Sequence, residues 1–231
     1  MSFKKLQLAV LENMKDVGEK VNKHLQDINN TDINYMTNIE VNRFSNGEGK
    51  AKIQNSVRGN DLYILSDVGN YGVTYSMHGR IHEVSPDEHF QDIKRVISAC
   101  GGYANKIHLI MPLLYQARQH KRKGRESLDC AIALQELERL GVSDIITFDA
   151  HDPNVSNAIP HLPFESFYPT NVILNDFIDK ELNDINNLLV ISPDMGAVNR
   201  ARYYAEVLGS DVGVFYKRRD LSKVVNGKSP I

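Results

Sequence analysis

The stretch IHLIMPLLYQARQHKRKGRESLDCAIALQELERLGVSDIITFDAH, residues 107–151, carries the pattern that decides the fold. Ile107–Met111 reads as a strand, and a basic loop from Gln116 to Arg125 follows it. Ser127 is placed to cap a helix running to Leu140, with Gly141 as its stop. Ile145–Phe148 reads as the next strand and runs into the polar segment Asp149–Asn157. A strand, a helix and a second strand in this order predict a parallel pair with a helical crossover.

The alternation continues downstream. The spacing predicts a helix over Thr170–Leu182, a strand at Leu188–Ile191, a helix over Gly196–Leu208 closed by Gly209, and a strand at Val212–Tyr216. Upstream, Leu62–Leu65 reads as a buried strand. Ile33–Arg43 and Lys50–Gln54 read as extended segments joined by the turn Ser45-Asn46-Gly47. Phe3, Leu6, Val10, Met14, Val17, Val21 and Leu25 recur at helical spacing and predict an opening amphipathic helix. Between Val68 and Glu88 the pattern dissolves into Gly, Tyr, His and Ser, which predicts a long surface loop or lid. The expected fold is α/β, a mostly parallel sheet flanked by helices. Prolines and polar residues between Asp149 and Pro169 place the domain boundary there, giving domains 1–160 and 161–231.

Composition narrows the class. The 231 residues are 42% hydrophobic and 24% charged, ordinary for a globular protein with a sizeable core. A formal net charge of −2 provides no global field for nucleic acid or anionic membrane, so anion binding must come from local clusters. No apolar run approaches the roughly 20 residues of a membrane helix, and Met1–Lys5 lacks the features of a secretory signal. Cys100 and Cys130 sit far apart in helix-like patterns and read as buried free thiols. A cytoplasmic location is expected.

In open α/β sheets, ligands bind beyond the carboxyl ends of the strands. Asp149, His151 and Asp152 follow one predicted strand, and Ser192-Pro193-Asp194 follows another. Carboxylates with one imidazole suit Mg²⁺ shared with substrate phosphates, although Asp149 and Asp152 are equally of a type that caps turns. The loop Arg118–Arg125 holds Arg118, Lys121, Arg122, Lys123 and Arg125, either a solvated face or a polyphosphate cradle. Lys217-Arg218-Arg219 is a second cluster after a predicted strand, again either a solvated end or a loop that closes on phosphates. The chain contains no Walker-type glycine loop, no kinase glycine loop and no nucleophile elbow.

Five motifs in order are similar to those of ribose-phosphate pyrophosphokinases. Arg43-Phe44-Ser45-Asn46-Gly47-Glu48 with Ser56-Val57-Arg58-Gly59 resembles their adenine-binding stretch, and Tyr115-Gln116-Ala117-Arg118-Gln119 their ATP loop. Asp149-Ala150-His151 and Ser192-Pro193-Asp194 resemble their metal motifs, and Tyr216-Lys217-Arg218-Arg219 the start of their catalytic flexible loop. The resemblance implies two related phosphoribosyltransferase-like domains, the second incomplete here, and a homo-oligomer, dimer or hexamer. It implies transfer of the diphosphate of ATP to ribose 5-phosphate, giving phosphoribosyl pyrophosphate and AMP. By position, Phe44, Asn46 and Glu48 would hold adenine across a subunit boundary, and Arg118 and Gln119 would hold ATP. His151 and Asp194 would bind Mg²⁺, while Lys217 and Arg219 would act catalytically on the transferring group.

The chain also departs from the family. His120 stands where an acidic residue is common, and Gly69–His89 is longer and richer in Gly, Tyr and His. The acidic loop with its Thr/Gly-rich cradle for ribose 5-phosphate is absent from these 231 residues. Two expectations follow, a piece of a longer enzyme or a short non-catalytic nucleotide-binding paralogue that regulates or assembles with a complete synthetase. A nucleic-acid-binding module built on Arg118–Arg125 is the remaining alternative, and the acidic net charge and lack of interleaved aromatics disfavour it.

Overall fold

The computed structural model describes residues 5–181 and 188–216. The described chain forms two compact units that divide between Phe167 and Tyr168. In the first, β1 (Leu6–Val10), β4 (Asp61–Leu65), β7 (Lys106–Ile110), β8 (Asp144–Phe148) and β9 (Phe164–Phe167) make one sheet in that order. All four pairings are parallel. Between these strands lie α1 (Lys15–Asn29), the hairpin β2 (Ile39–Arg43) and β3 (Gly49–Ile53), and the hairpin β5 (Thr74–Met77) and β6 (Arg80–Glu83). Helix α2 (Pro86–Ala99) precedes β7, and α3 (Asp129–Arg139) links β7 to β8.

The central strands form because apolar residues supply both faces of the sheet. Leu62, Ile64, Leu109 and Ile145 are fully buried beneath Phe90, Ile93 and Val96 of α2 and Leu134 and Leu137 of α3. On the opposite face, Leu8, Val10, Met14 and Leu65 pack with Val21 and Leu25 of α1. Close approach of α1 requires Gly18, where an added Cβ would stand 2.6 Å from both methyl carbons of Val10. Cys100 and Cys130 are buried and unpaired, as read from the sequence, and burial pushes both thiols up to about 11.

Three sequence expectations are corrected. The chain opens with strand β1, and its helix starts only at Lys15. Leu6, Val10 and Met14 fit a helical period by coincidence, because a strand buried on both faces imposes no alternation. The segment from Val68 to Glu88 is no unstructured lid. It holds the β5–β6 hairpin, turned by His78 and Gly79 at φ 52° and 74°, the left-handed pair that a two-residue hairpin needs. Ser127 does not cap α3, which starts at Asp129 with Leu128 in the cap position. The Ser127 hydroxyl instead donates to Asp129 Oδ2 at 2.6 Å.

Helix α2 has a full capping box: Ser85 Oγ accepts from the Glu88 amide, Glu88 accepts from the Ser85 amide, and Pro86 stands at the first helical position. The second unit, from Tyr168 onward, contains α4 (Thr170–Glu181), β10 (Leu189–Ser192), α5 (Val198–Leu208) and β11 (Asp211–Val214). Strands β10 and β11 are parallel and α5 packs on them, closed by Gly209 in the left-handed conformation. Residues 182–187 and 217–231 lie outside the described structure, and with them the predicted catalytic Lys217 and Arg219.

Candidate functional site

Because β7 and β8 are adjacent, the loops leaving their carboxyl ends meet. The first begins at Tyr115, whose ring stacks on Phe90 at 4.2 Å and 4° and whose hydroxyl donates to Asp87 at 2.7 Å. Gln116 at φ 55° turns the chain back sharply. Gln119 then clasps the loop, its Nε2 donating to the Ser127 carbonyl at 2.7 Å. The predicted ATP residue Gln119 is thus spent in part on holding its own loop. Arg118 points to solvent with no side-chain partner among the described residues. An unpaired guanidinium at a strand tip is available to phosphate oxygens.

The second loop leaves β8 through Asp149, which adopts a left-handed backbone at φ 49° while its amide donates to Phe167 at 2.9 Å. The next amide, Ala150, donates to Ser166 Oγ at 3.0 Å. His151 is exposed. Asp152 joins the two loops: its Oδ2 lies 2.7 Å from Lys121 Nζ and 3.2 Å from His120 Nε2. The other His120 nitrogen lies 3.0 Å from the Ala117 carbonyl, and the rings of His120 and His151 stand 5.0 Å apart. Asp152 also accepts from the Asn154 amide, capping the following turn. Lys121 first, then the Asn154 amide, hold its carboxyl down at about 2.

This bridge was missed by sequence reasoning. It could be found only from the pairing of β7 with β8, which a single sequence does not print. The turn-capping reading of Asp152 is correct, and its carboxylate is already engaged. Among the described residues, no cluster of three or more His, Cys, Asp or Glu is poised around a metal position. In the second unit Asp194 caps its own turn, Oδ1 accepting from the amides of Gly196 at 2.9 Å and Ala197 at 3.2 Å. Its other oxygen is not used in that cap. His151 in the first unit and the remaining Asp194 oxygen in the second are each of a donor type that suits Mg²⁺, an imidazole and a carboxylate oxygen.

The predicted adenine residues occupy the tip of the β2–β3 hairpin. Phe44 N donates to the Glu48 carbonyl at 2.7 Å, and Gly47, at φ 89°, closes the turn through a 2.9 Å bond to the Phe44 carbonyl. Asn46 Nδ2 donates to Glu48 Oε2 at 2.9 Å, and Asn46 Oδ1 accepts from the Glu48 amide at 3.1 Å. Phe44 is 55% exposed, an aromatic face presented to solvent. The base of the turn is fixed by Arg43, which makes a bidentate pair with buried Asp92 at 2.8 and 2.6 Å, where Arg95 also binds at 2.6 Å.

A parallel sheet, with cationic and acidic loops meeting beyond its strand ends, defines an α/β protein whose ligand-binding face lies at the carboxyl ends of its strands. The sequence profile of the N-terminal domain of ribose phosphate pyrophosphokinase matches residues 6–141, and the chain belongs to that family. It is 29% identical over 191 residues to a ribose-phosphate pyrophosphokinase of Bacillus caldolyticus, covering 80% of this chain and 55% of the relative. It is 27% identical over 226 residues to that of Corynebacterium ammoniagenes, covering 96% and 63%. The chain therefore spans between about half and two thirds of these relatives. The crystal structure of phosphoribosylpyrophosphate synthetase from Mycobacterium smegmatis shares the fold, with a TM-score of 0.77 at 22% identity over 93% of this chain and 65% of that one. No helix among the described residues is long and apolar enough to cross a membrane.

Proposed function

We propose that this chain is the ATP-handling part of a ribose-phosphate diphosphokinase, which transfers the diphosphate of ATP to ribose 5-phosphate. The observation that carries the reading is the junction of two loops at neighbouring strand ends, Lys121 on Asp152 and His120 beside His151. That junction sets Lys121, His120 and His151 beside one another, which supports the reading.

In this reading the anomeric hydroxyl oxygen of ribose 5-phosphate attacks the β-phosphorus of ATP. The bond from that phosphorus to the α,β-bridging oxygen breaks, AMP leaves, and the hydroxyl proton is released. Such transfer relies on alignment and charge neutralisation more than on covalent help from protein. Arg118 binds polyphosphate oxygens, while Phe44, Asn46 and Glu48 hold the adenine of a neighbouring subunit's ATP in a homo-oligomer. The exposed Phe44 face and the Asn46–Glu48 edge suit a base that both stacks and hydrogen-bonds. His151 in the first unit and Asp194 in the second are each proposed as Mg²⁺ ligands, and the ion when bound would neutralise phosphate charge. Lys217 and Arg219 steady the transferring group.

Incubation of the chain with Mg²⁺, ATP and ribose 5-phosphate tests the reading by identifying the nucleotide product. AMP formed only when ribose 5-phosphate is present is expected of an active diphosphokinase. Release of ADP instead would overturn it.

A further inference from the structure

The β5–β6 hairpin is built against the turn that carries Phe44, Asn46 and Glu48. Along β5, Tyr75 and Met77 face inward while Thr74 and Ser76 face solvent. A Cβ placed on Gly47 would stand 2.9 Å from Met77 Sδ and 3.6 Å from the Tyr75 hydroxyl, so both side chains rest on the tip of the turn. Tyr75 reaches its base as well: the Arg43 guanidinium lies 5.5 Å over the Tyr75 ring. The Tyr75 hydroxyl donates to Glu88 Oε1 at 2.9 Å, tying the hairpin to the first turn of α2.

We propose that Tyr75 and Met77 are positioning residues for the nucleotide base, setting the angle at which the Phe44–Glu48 turn presents its side chains. The inference rests on the base-holding reading of that turn. A hairpin tip free on its stalk would have to be ordered at each binding event, and that ordering weakens affinity. Met77, unbranched and polarizable, fits closely over the bare Cα of Gly47. Tyr75 anchors the other end through a hydrogen bond to a carboxylate, the stronger kind. Both contact the turn itself, and the role proposed for each acts through it.

Equilibrium titration of the full chain with ATP and with GTP, both with Mg²⁺, tests the proposal. The variants are Phe44→Ala, Tyr75→Phe, Met77→Ala and Met77→Leu. Tyr75→Phe and Met77→Ala are expected to raise Kd for ATP about three- to tenfold and to narrow the preference over GTP. Their melting temperatures should stay within about 2 °C of the parent. Met77→Leu, which conserves volume, should bind ATP as the parent does. If Phe44→Ala loses ATP while Tyr75→Phe and Met77→Ala do not, the hairpin has no positioning role and the base reading stands. If all variants bind alike, or the parent does not prefer ATP, the base reading falls and the hairpin's role with it. Weaker binding that tracks a lowered melting temperature in both hairpin variants would reduce their role to stability and also overturn the proposal.

Discussion

Lys121 Nζ lies 2.7 Å from Asp152 Oδ2, an ion pair that helps join the loop after β7 to the loop after β8. The pair holds the Asp152 carboxyl at about 2, below its ordinary 3.8. A carboxylate depressed in the folded state contributes stability that is present above its unfolded value and lost as pH falls through the folded one. The loop junction should therefore loosen as pH drops from about 4 towards 2. Carboxyl NMR titration should place Asp152 near the lower limit in the parent, and Lys121→Met should move it up towards 3.8. An unmoved titration would mean that the Asn154 amide alone holds the group.

Arg118 is an exposed cation at the start of the basic loop with no side-chain partner among the described residues, so Arg118→Ala should weaken ATP binding by about tenfold or more, read by calorimetric titration. Lys217→Ala and Arg219→Ala should instead lower turnover by roughly 10²–10³ with little change in ATP affinity, since they are assigned to the transferring group. Equal losses of affinity and turnover would remove that assignment.

Asp92 is the buried anion between two guanidiniums, Arg43 and Arg95. Asp92→Asn leaves Arg43 in the interior without its counter-charge, at a cost of about 3–5 kcal/mol. For a chain of this size the melting temperature should fall by roughly 6–20 °C in a calorimetric scan. The double change Arg43→Met with Asp92→Leu should recover most of that loss. Failure to recover would show that the pair fixes the β2–β3 hairpin by geometry that apolar side chains cannot replace.

Gly18 sets two effects against each other. Alanine in the middle of a helix gains about 1 kcal/mol over glycine. Here its Cβ would lie 2.6 Å from the Val10 methyl carbons in the core, and overpacking of that kind costs about 1–3 kcal/mol. Gly18→Ala should therefore be neutral to destabilising in denaturant unfolding. Val10→Ala alone leaves a void, but combined with Gly18→Ala it should be less harmful than the sum of the two single changes.

The strands at the centre of the sheet were legible because Leu62–Leu65, Ile107–Met111 and Ile145–Phe148 are short apolar runs between polar breaks. β1 was not, because Leu6, Val10 and Met14 meet the helical period equally well, and only burial of Leu8 and Ala9 between β4 and the helices distinguishes the cases. The β5–β6 hairpin was hidden by its side chains. Thr74, Ser76, Ile81 and Glu83 alternate with Tyr75, Met77, Arg80 and His82, a pattern with little hydrophobic contrast, and His78-Gly79 is a less familiar turn pair than Asn-Gly. Of the candidate site, Arg118, His151 and the Phe44–Glu48 turn were reachable by motif. The Lys121–Asp152 bridge and the Tyr75–Met77 brace depend on which loops the sheet brings side by side, and that is a property of pairing rather than of any local stretch.

The strand order of the first unit, β1-β4-β7-β8-β9, runs in the direction of the chain itself. During synthesis, each strand after the first leaves the ribosome with one sheet neighbour already made. Sheet assembly can thus advance in step with translation from one edge, keeping loop closures short and limiting the time any apolar strand spends unpaired.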